Sequence, residues 1–149
     1  MGLFNKIKNA KNFITGGGAE VQVSVPQASL HQPFAVNVAA QVKDGEMKIN
    51  KVYLKVRAVE KVTVHKVQTE NGKRDVHETV ETCSMQVDVA GAQVLSSEAP
   101  GQWQATVAIP QGSLPSFQGR NATHTWQVCA FLDKSGNDPD SGWVDFQVH

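Results

Sequence analysis

The sequence predicts an all-β fold: an antiparallel β-sandwich of seven to eight strands, preceded by a short N-terminal amphipathic helix. Three observations predict it. From Ala19 onward apolar residues recur with a period of two, the alternation of a half-buried strand. Clusters of Pro, Gly, Asn and Ser separate the alternating segments at the spacing of turns. No stretch inside that region carries the 3.6-residue period of a helix, so the strands have only each other to pack against.

Residues 2–14, GLFNKIKNAKNFI, place Leu3, Phe4, Ile7, Ala10 and Ile14 at helical spacing, with Lys6, Lys8 and Lys11 mostly off that stripe. A basic amphipathic segment reads either as a membrane-surface or partner helix, or as a cover for one end of the sandwich. Position 6 is Lys rather than Ser or Thr, so the myristoylation pattern fails. Gly16-Gly17-Gly18 is expected to end the helix as a flexible joint, which divides the chain into 1–18 and a single sandwich domain, 19–149.

The strands follow in order. Val21, Val23 and Val25 alternate up to Pro26, and Phe34, Val36, Val38, Ala40 and Val42 alternate after Pro33. The longest run, Ile49 to Val67, keeps Val52, Leu54, Val56, Ala58, Val62 and Val64 on one parity. Its other face carries Lys51, Lys55, Arg57 and Lys61 with Tyr53 between them, so one side is core and the other a basic stripe. Asn71-Gly72 then predicts a type I′ hairpin leading into Asp75 to Val89, with His65 opposite Glu78 and the imidazole of His77 on the other face. Trp103, Ala105, Val107 and Ile109 form one further strand, Trp126, Val128, Ala130 and Leu132 another, and Trp143 to Val148 the last. Both Trp103 and Trp126 are expected to enter the core.

Composition narrows the function classes. The 149 residues suit one domain, and 14 Lys plus Arg balance 14 Asp plus Glu, so no global field recruits nucleic acid. The basic stripe would suit an extended anionic partner, its charges standing about 7–14 Å apart on one face; acidic neighbours Glu60, Glu70, Glu78 and Glu81 would make it an ordinary solvated surface instead. Cys83 and Cys129 lack the spacing of a redox or zinc pair and are expected to be free thiols. No secretory h-region and no run of roughly 18 apolar residues appears, so the expected location is cytoplasmic. Asn121-Ala122-Thr123 is then a chance sequon.

No chemistry-bearing constellation emerges. His65, His77 and Glu78 do not converge in the expected register, whereas a metal needs three or four ligands. Residues 133–144 resemble a calcium loop but put Asp138 where Gly and Val144 where Glu are needed, so Asx turns are expected. No nucleophile elbow and no phosphate cradle occurs, and neither enzyme activity, metal nor cofactor is expected.

One stretch carries a resemblance. A strand ending Val107-Ala108-Ile109-Pro110, the loop Leu114-Pro115-Ser116-Phe117-Gln118-Gly119, and the strand Thr125-Trp126-Gln127-Val128-Cys129-Ala130-Phe131-Leu132-Asp133 resemble the N-terminal domain of arrestin-like proteins, especially bacterial sporulation-control relatives. The resemblance implies an immunoglobulin-like, arrestin-type sandwich and a non-catalytic interaction module, a scaffold or regulator that binds partner proteins through loops or a sheet edge. The alternative is a peripheral membrane protein anchored by Leu3, Phe4 and Ile7 with Lys6, Lys8 and Lys11. Arrestins pair two such sandwiches, and only one copy of the pattern is present here. Receptor and phosphate recognition therefore do not carry over, and a homodimer is one way the second half could be replaced.

Overall fold

Alternation in the sequence becomes two packed sheets in the computed structural model, which describes residues 15, 16 and 18–149. The strands are β1 (Thr15–Gly16), β2 (Ala19–Ser24), β3 (Phe34–Val42), β4 (Glu46–Ile49), β5 (Lys51–Thr69), β6 (Gly72–Ala90), β7 (Gln93–Ser96), β8 (Gly101–Val107), β9 (Phe117–Gln118), β10 (Ala122–Asp133) and β11 (Val144–Phe146). The first sheet runs β1-β2-β3-β8, the second β11-β10-β5-β6 with β9 added on β10, and β4 pairs with β7 alone. Every strand pairing is antiparallel. The seven alternating segments are all strands. The other four, β1, β4, β7 and β9, are two to four residues long, too short for a period of two to register.

The core lies between the inner faces. Val21, Val23, Val36 and Val38 of the first sheet meet Val52, Leu54, Val56, Trp126 and Val128 of the second, all at most 1% exposed. Trp126 is fully buried, as expected. Trp103 is only half-buried, because β8 is an edge strand and the ring folds back over Gly101, where a Cβ would stand 2.0 Å from the Trp103 ring. Gly101 is thus the residue that makes room for an edge tryptophan.

Two other expectations change, and one falls where the structure is not described. The amphipathic helix, including Leu3, Phe4, Ile7, Lys6, Lys8 and Lys11, lies outside the described residues. Gly16 is not in a joint but in β1, where Thr15 pairs with Glu20 and Gly16 with Ala19. The β5–β6 hairpin turns on Glu70 and Asn71 between Thr69 and Gly72 rather than on Asn71-Gly72. Type I′ would need positive φ at both central residues, but only Gly72 takes it here, at 104°, closed by a Thr69 hydroxyl donating to the Gly72 carbonyl at 2.6 Å.

A second irregularity moves the histidines. Between Val64↔Val76 and Val67↔Arg74 the register shifts, and Lys66 sits at φ 56°. Asp75 holds this bulge, accepting from the Lys66 amide at 3.2 Å and meeting His65 Nδ1 at 3.1 Å. Those contacts, the Lys66 amide first, hold the Asp75 carboxyl below its usual range. Because the bulge flips parity, His65 does not face Glu78; His65 and His77 both reach the face that carries Thr63, whose hydroxyl meets His77 Nδ1 at 3.0 Å. Among the described residues no group of three or more His, Cys, Asp or Glu is placed to hold a metal ion.

Candidate interaction surface

The stripe read from the sequence is a real feature of the outer face of the second sheet. Lys51, Tyr53, Lys55, Arg57 and Lys61 lie on one parity of β5, opposite the core residues Val52, Leu54, Val56 and Ala58. Among the described residues one ion pair answers it, Lys51 Nζ meeting Asp88 at 3.4 Å, while Glu81, opposite Val59, stands on the same face without pairing to a stripe cation. Lys51 and Asp88 are substantially exposed, so their pair adds little stability. Glu60 and Glu78 share the parity of the core-facing residues and point away from the stripe.

Aromatic rings rather than acids order the cations. Tyr53 and Phe131 are register partners on β5 and β10, and their rings stack at 4.9 Å with 5° between planes. Lys51 Nζ sits 5.1 Å from the Tyr53 ring, Lys55 Nζ 5.1 Å from the Phe131 ring, and the Arg57 guanidinium 3.9 Å from the Trp143 ring. Arg57 Nε also donates to Gln127 Oε1 at 2.8 Å, and Gln127 Nε2 donates to Asp145 at 2.7 Å. Beyond Arg57 a shallow groove opens, lined by Val59, Lys61, Thr79, Glu81 and Asp145. Strand parity put Tyr53 on this face, but its stacking on Phe131 depends on β10 lying alongside β5. Trp143, read from the sequence as the start of the last strand, stands just before β11, and its place over Arg57 depends on β11 lying alongside β10.

The loop between β10 and β11 closes the other end of this face. Asp138 accepts from the Tyr53 hydroxyl at 2.9 Å and from the Lys134 amide at 3.3 Å, and Asp140 accepts from the Gly142 amide at 2.7 Å. These acids shape turns, as the Asx reading expects. Beneath them Cys129 is buried, and desolvation pushes its thiol up to about 11. Cys83 faces the opposite side of the sheet, opposite Ala58, so the two thiols are both free and separated by the strand layer.

Tyr53 supplies a test of this geometry. Burial first, then the hydrogen bond to Asp138 and its negative charge, push the phenol up to about 12 from 10.0. A raised pKa on a neutral acid means the fold favours the protonated form. The associated stability is full below pH 10 and is lost as pH rises through about 12. Because the chain has one tyrosine, ultraviolet titration of tyrosinate reads it alone. We expect a midpoint near 12 that falls toward 10.0 in Asp138→Asn, and an unshifted wild-type midpoint would contradict the placement.

The second surface is the far half of the β5–β6 hairpin. The register shift between Ala58↔Cys83 and Val59↔Glu81 leaves Thr82 as the extra residue of a bulge. Past it the strands run beyond the core: Val64 is 50% exposed and Val80 54%. Among the described residues β6 is a terminal strand of its sheet and pairs as a strand with β5 only, so the other edge of this 19-residue strand has no strand partner there. Nothing in the alternation of the sequence distinguishes this edge strand from an interior one.

The loop that carried the resemblance is fastened into the core. Trp126 Nε1 donates to the Leu114 carbonyl at 2.9 Å, His124 Nδ1 to the Pro115 carbonyl at 2.9 Å, and the Val148 amide to Ser116 Oγ at 2.9 Å. Phe117 stacks on His124 at 5.7 Å. At Gly119 a Cβ would come within 3.2 Å of the Ala122 carbonyl, which accepts from the Gly119 amide at 2.7 Å. Leu114, Pro115, Ser116, Phe117 and Gly119 of that motif therefore each have a structural task.

Comparisons with known proteins agree with this architecture. No protein-family model matches the chain, and no curated protein matches it in sequence. Among solved structures, Spo0M, a sporulation control protein from Bacillus subtilis, is similar with a TM-score of 0.58 and 15% identity, over 89% of this chain and 49% of that one. This chain thus spans about half the length of that protein. The likeness is one of fold, and it matches the arrestin-like sandwich implied by the Leu114 to Gly119 loop.

Proposed function

We propose that this chain is a non-catalytic interaction module of the cytoplasm, a scaffold or regulator that takes an extended strand of a partner protein along the free edge of β6. The observation that carries this reading is the edge itself, 19 residues long, paired on one side only among the described residues, with Val80 exposed at its middle. Strand addition draws its affinity from backbone hydrogen bonds and its selectivity from alternate side chains. The three register shifts along this hairpin discourage indiscriminate pairing, and past Lys73 and Arg74 near the turn the charged residues of β6 are all acidic: Asp75, Glu78, Glu81 and Asp88. The fitting partner is therefore a segment that alternates apolar and basic residues.

A photo-crosslinking residue at Thr79, in the native host, tests the proposal against the same residue at Gln102 on β8. Adducts are expected from position 79 and not from 102, and the paired reversal Glu78→Lys with Glu81→Lys should abolish them. Equal labelling from both positions, or labelling indifferent to the reversal, would sink the reading. An adduct of twice the chain's mass would identify the partner strand as a second copy.

A further inference from the structure

Past Val62 the β5–β6 hairpin runs on with no third strand beside it among the described residues, because β10 pairs with β5 only as far as Val62. A two-stranded ribbon is marginal in water and gains stability from further strands and an apolar face. Val64 continues the core-facing parity of β5 onto this ribbon, 50% exposed, beside its register partner Val76. On the same face of β6, two positions to either side of Val76, stand Arg74 and Glu78. Both are exposed, and neither forms an ion pair among the described residues. Four residues of strand, roughly 13 Å, separate them, too far for a bridge along one chain. The bulge at Lys66 lies in β5 and the Thr82 bulge comes later in β6, so β6 from Gly72 to Glu81 is a regular strand.

We infer that the strand received at this edge is β6 of a second copy of the chain, antiparallel about a two-fold axis at Val76; the inference rests on the reading of β6 as a strand-accepting edge. With Val76 opposite Val76 of the second copy, Arg74 falls opposite Glu78, Asp75 opposite His77, and Lys73 opposite Thr79. The two-fold uses each pair twice, so both Arg74–Glu78 bridges form. Val64 and Val76 of the two copies then line up as one apolar row across a four-stranded ribbon. Other registers lose this complementarity. An axis at Asp75 sets that residue against itself, and an axis at Glu78 sets Glu78 against Glu78 and Asp75 against Glu81. An axis at His77 opposes only Lys73 and Glu81 favourably. The Val76 register also uses the regular strand fully, because Asn71 at the tip of one hairpin reaches Glu81 of the other, just short of the Thr82 bulge. Lys73, Arg74 and Val76 of the second copy supply the basic and apolar residues that the edge calls for.

Light scattering over a dilution series tests the inference. The unaltered chain should pass from dimer to monomer on dilution. Arg74→Glu and Glu78→Arg, each alone, set like charges against one another at both bridges and should raise the midpoint concentration at least ~10-fold. Mixing the two variants should restore association, because each then meets its complement. Both positions are exposed and outside the core, so circular dichroism should not change. A concentration-independent monomer overturns the inference, and position-79 adducts with a different protein would then leave strand addition at β6 standing. A dimer indifferent to the single reversals, or variants that stay monomeric when mixed, overturns it too, by removing the Val76 register. A dimer in a chain that gives no position-79 adduct at all would retire both readings.

Discussion

Replacing Trp126 with alanine is expected to cost about 3–5 kcal/mol of folding stability, the range for deleting a large aromatic side chain from a packed core. The side chain is fully buried, with Phe146 on one side at 6.3 Å and His124 edge-on at 5.9 Å. Its indole also does something no aliphatic residue can do: Nε1 donates to the Leu114 carbonyl and so ties the loop before β9 to the sheet. Trp126→Phe separates these roles, since it keeps most of the volume and removes the donor. We expect about 1–3 kcal/mol for that variant, the cost of an orphaned buried carbonyl plus modest repacking. Urea unfolding followed by circular dichroism measures both, with m unchanged if the folded state keeps its compactness. Equal losses in the two variants would mean the hydrogen bond alone accounts for the tryptophan.

The main sheets were legible because burial on one face writes a period of two into the chain, as Val52, Leu54, Val56 and Ala58 show. Where that pressure fades, so does the signal. Past Thr82 the hairpin leaves the core, and the apolar residues there no longer constrain register. The turn was accordingly misplaced and the His65–Lys66 bulge not foreseen, because Asp75 sets the bulge through hydrogen bonds to one amide and one imidazole. Bulges are local bargains between side chain and backbone, invisible to any periodic pattern.

The candidate surface divides in the same way. Four cations on one strand face can be read from parity alone, but their surroundings depend on which strand lies alongside. β10 brings Phe131 to Tyr53 and Gln127 to Arg57, and the loop before β11 brings Trp143. Of the acids the sequence shows near the stripe, the fold turns Glu60 and Glu78 to the other face, keeps Glu81 on it opposite Val59, and adds Asp88 beside Lys51. The free edge of β6 is less legible still, since strand order is a property of topology rather than of any one segment.

His124→Leu is expected to destabilise the protein by about 1–3 kcal/mol and to loosen the base of the hairpin, although leucine fills the site with apolar volume. His124 is 2% exposed and joins two features that are remote in sequence. Its Nδ1 must carry the proton, because the Pro115 carbonyl 2.9 Å away can only accept. In the neutral ring Nε2 is then an acceptor, and the Thr82 hydroxyl at 2.7 Å donates to it. The Ala58 carbonyl is the hydroxyl's other acceptor at 3.3 Å, so loss of the imidazole lets Thr82 turn inward to its own sheet. Pro115 has no such second choice. The expected result is therefore asymmetric: exchange should rise most around Pro115 and β9, and less at the Thr82 bulge. A double-mutant cycle with Thr82→Val isolates the bridge, and a coupling of about 0.5–1.5 kcal/mol is expected if the imidazole links loop to bulge. Additive losses would show that the loop and the hairpin are held separately, and the edge of β6 would then have to keep its geometry without the core's help.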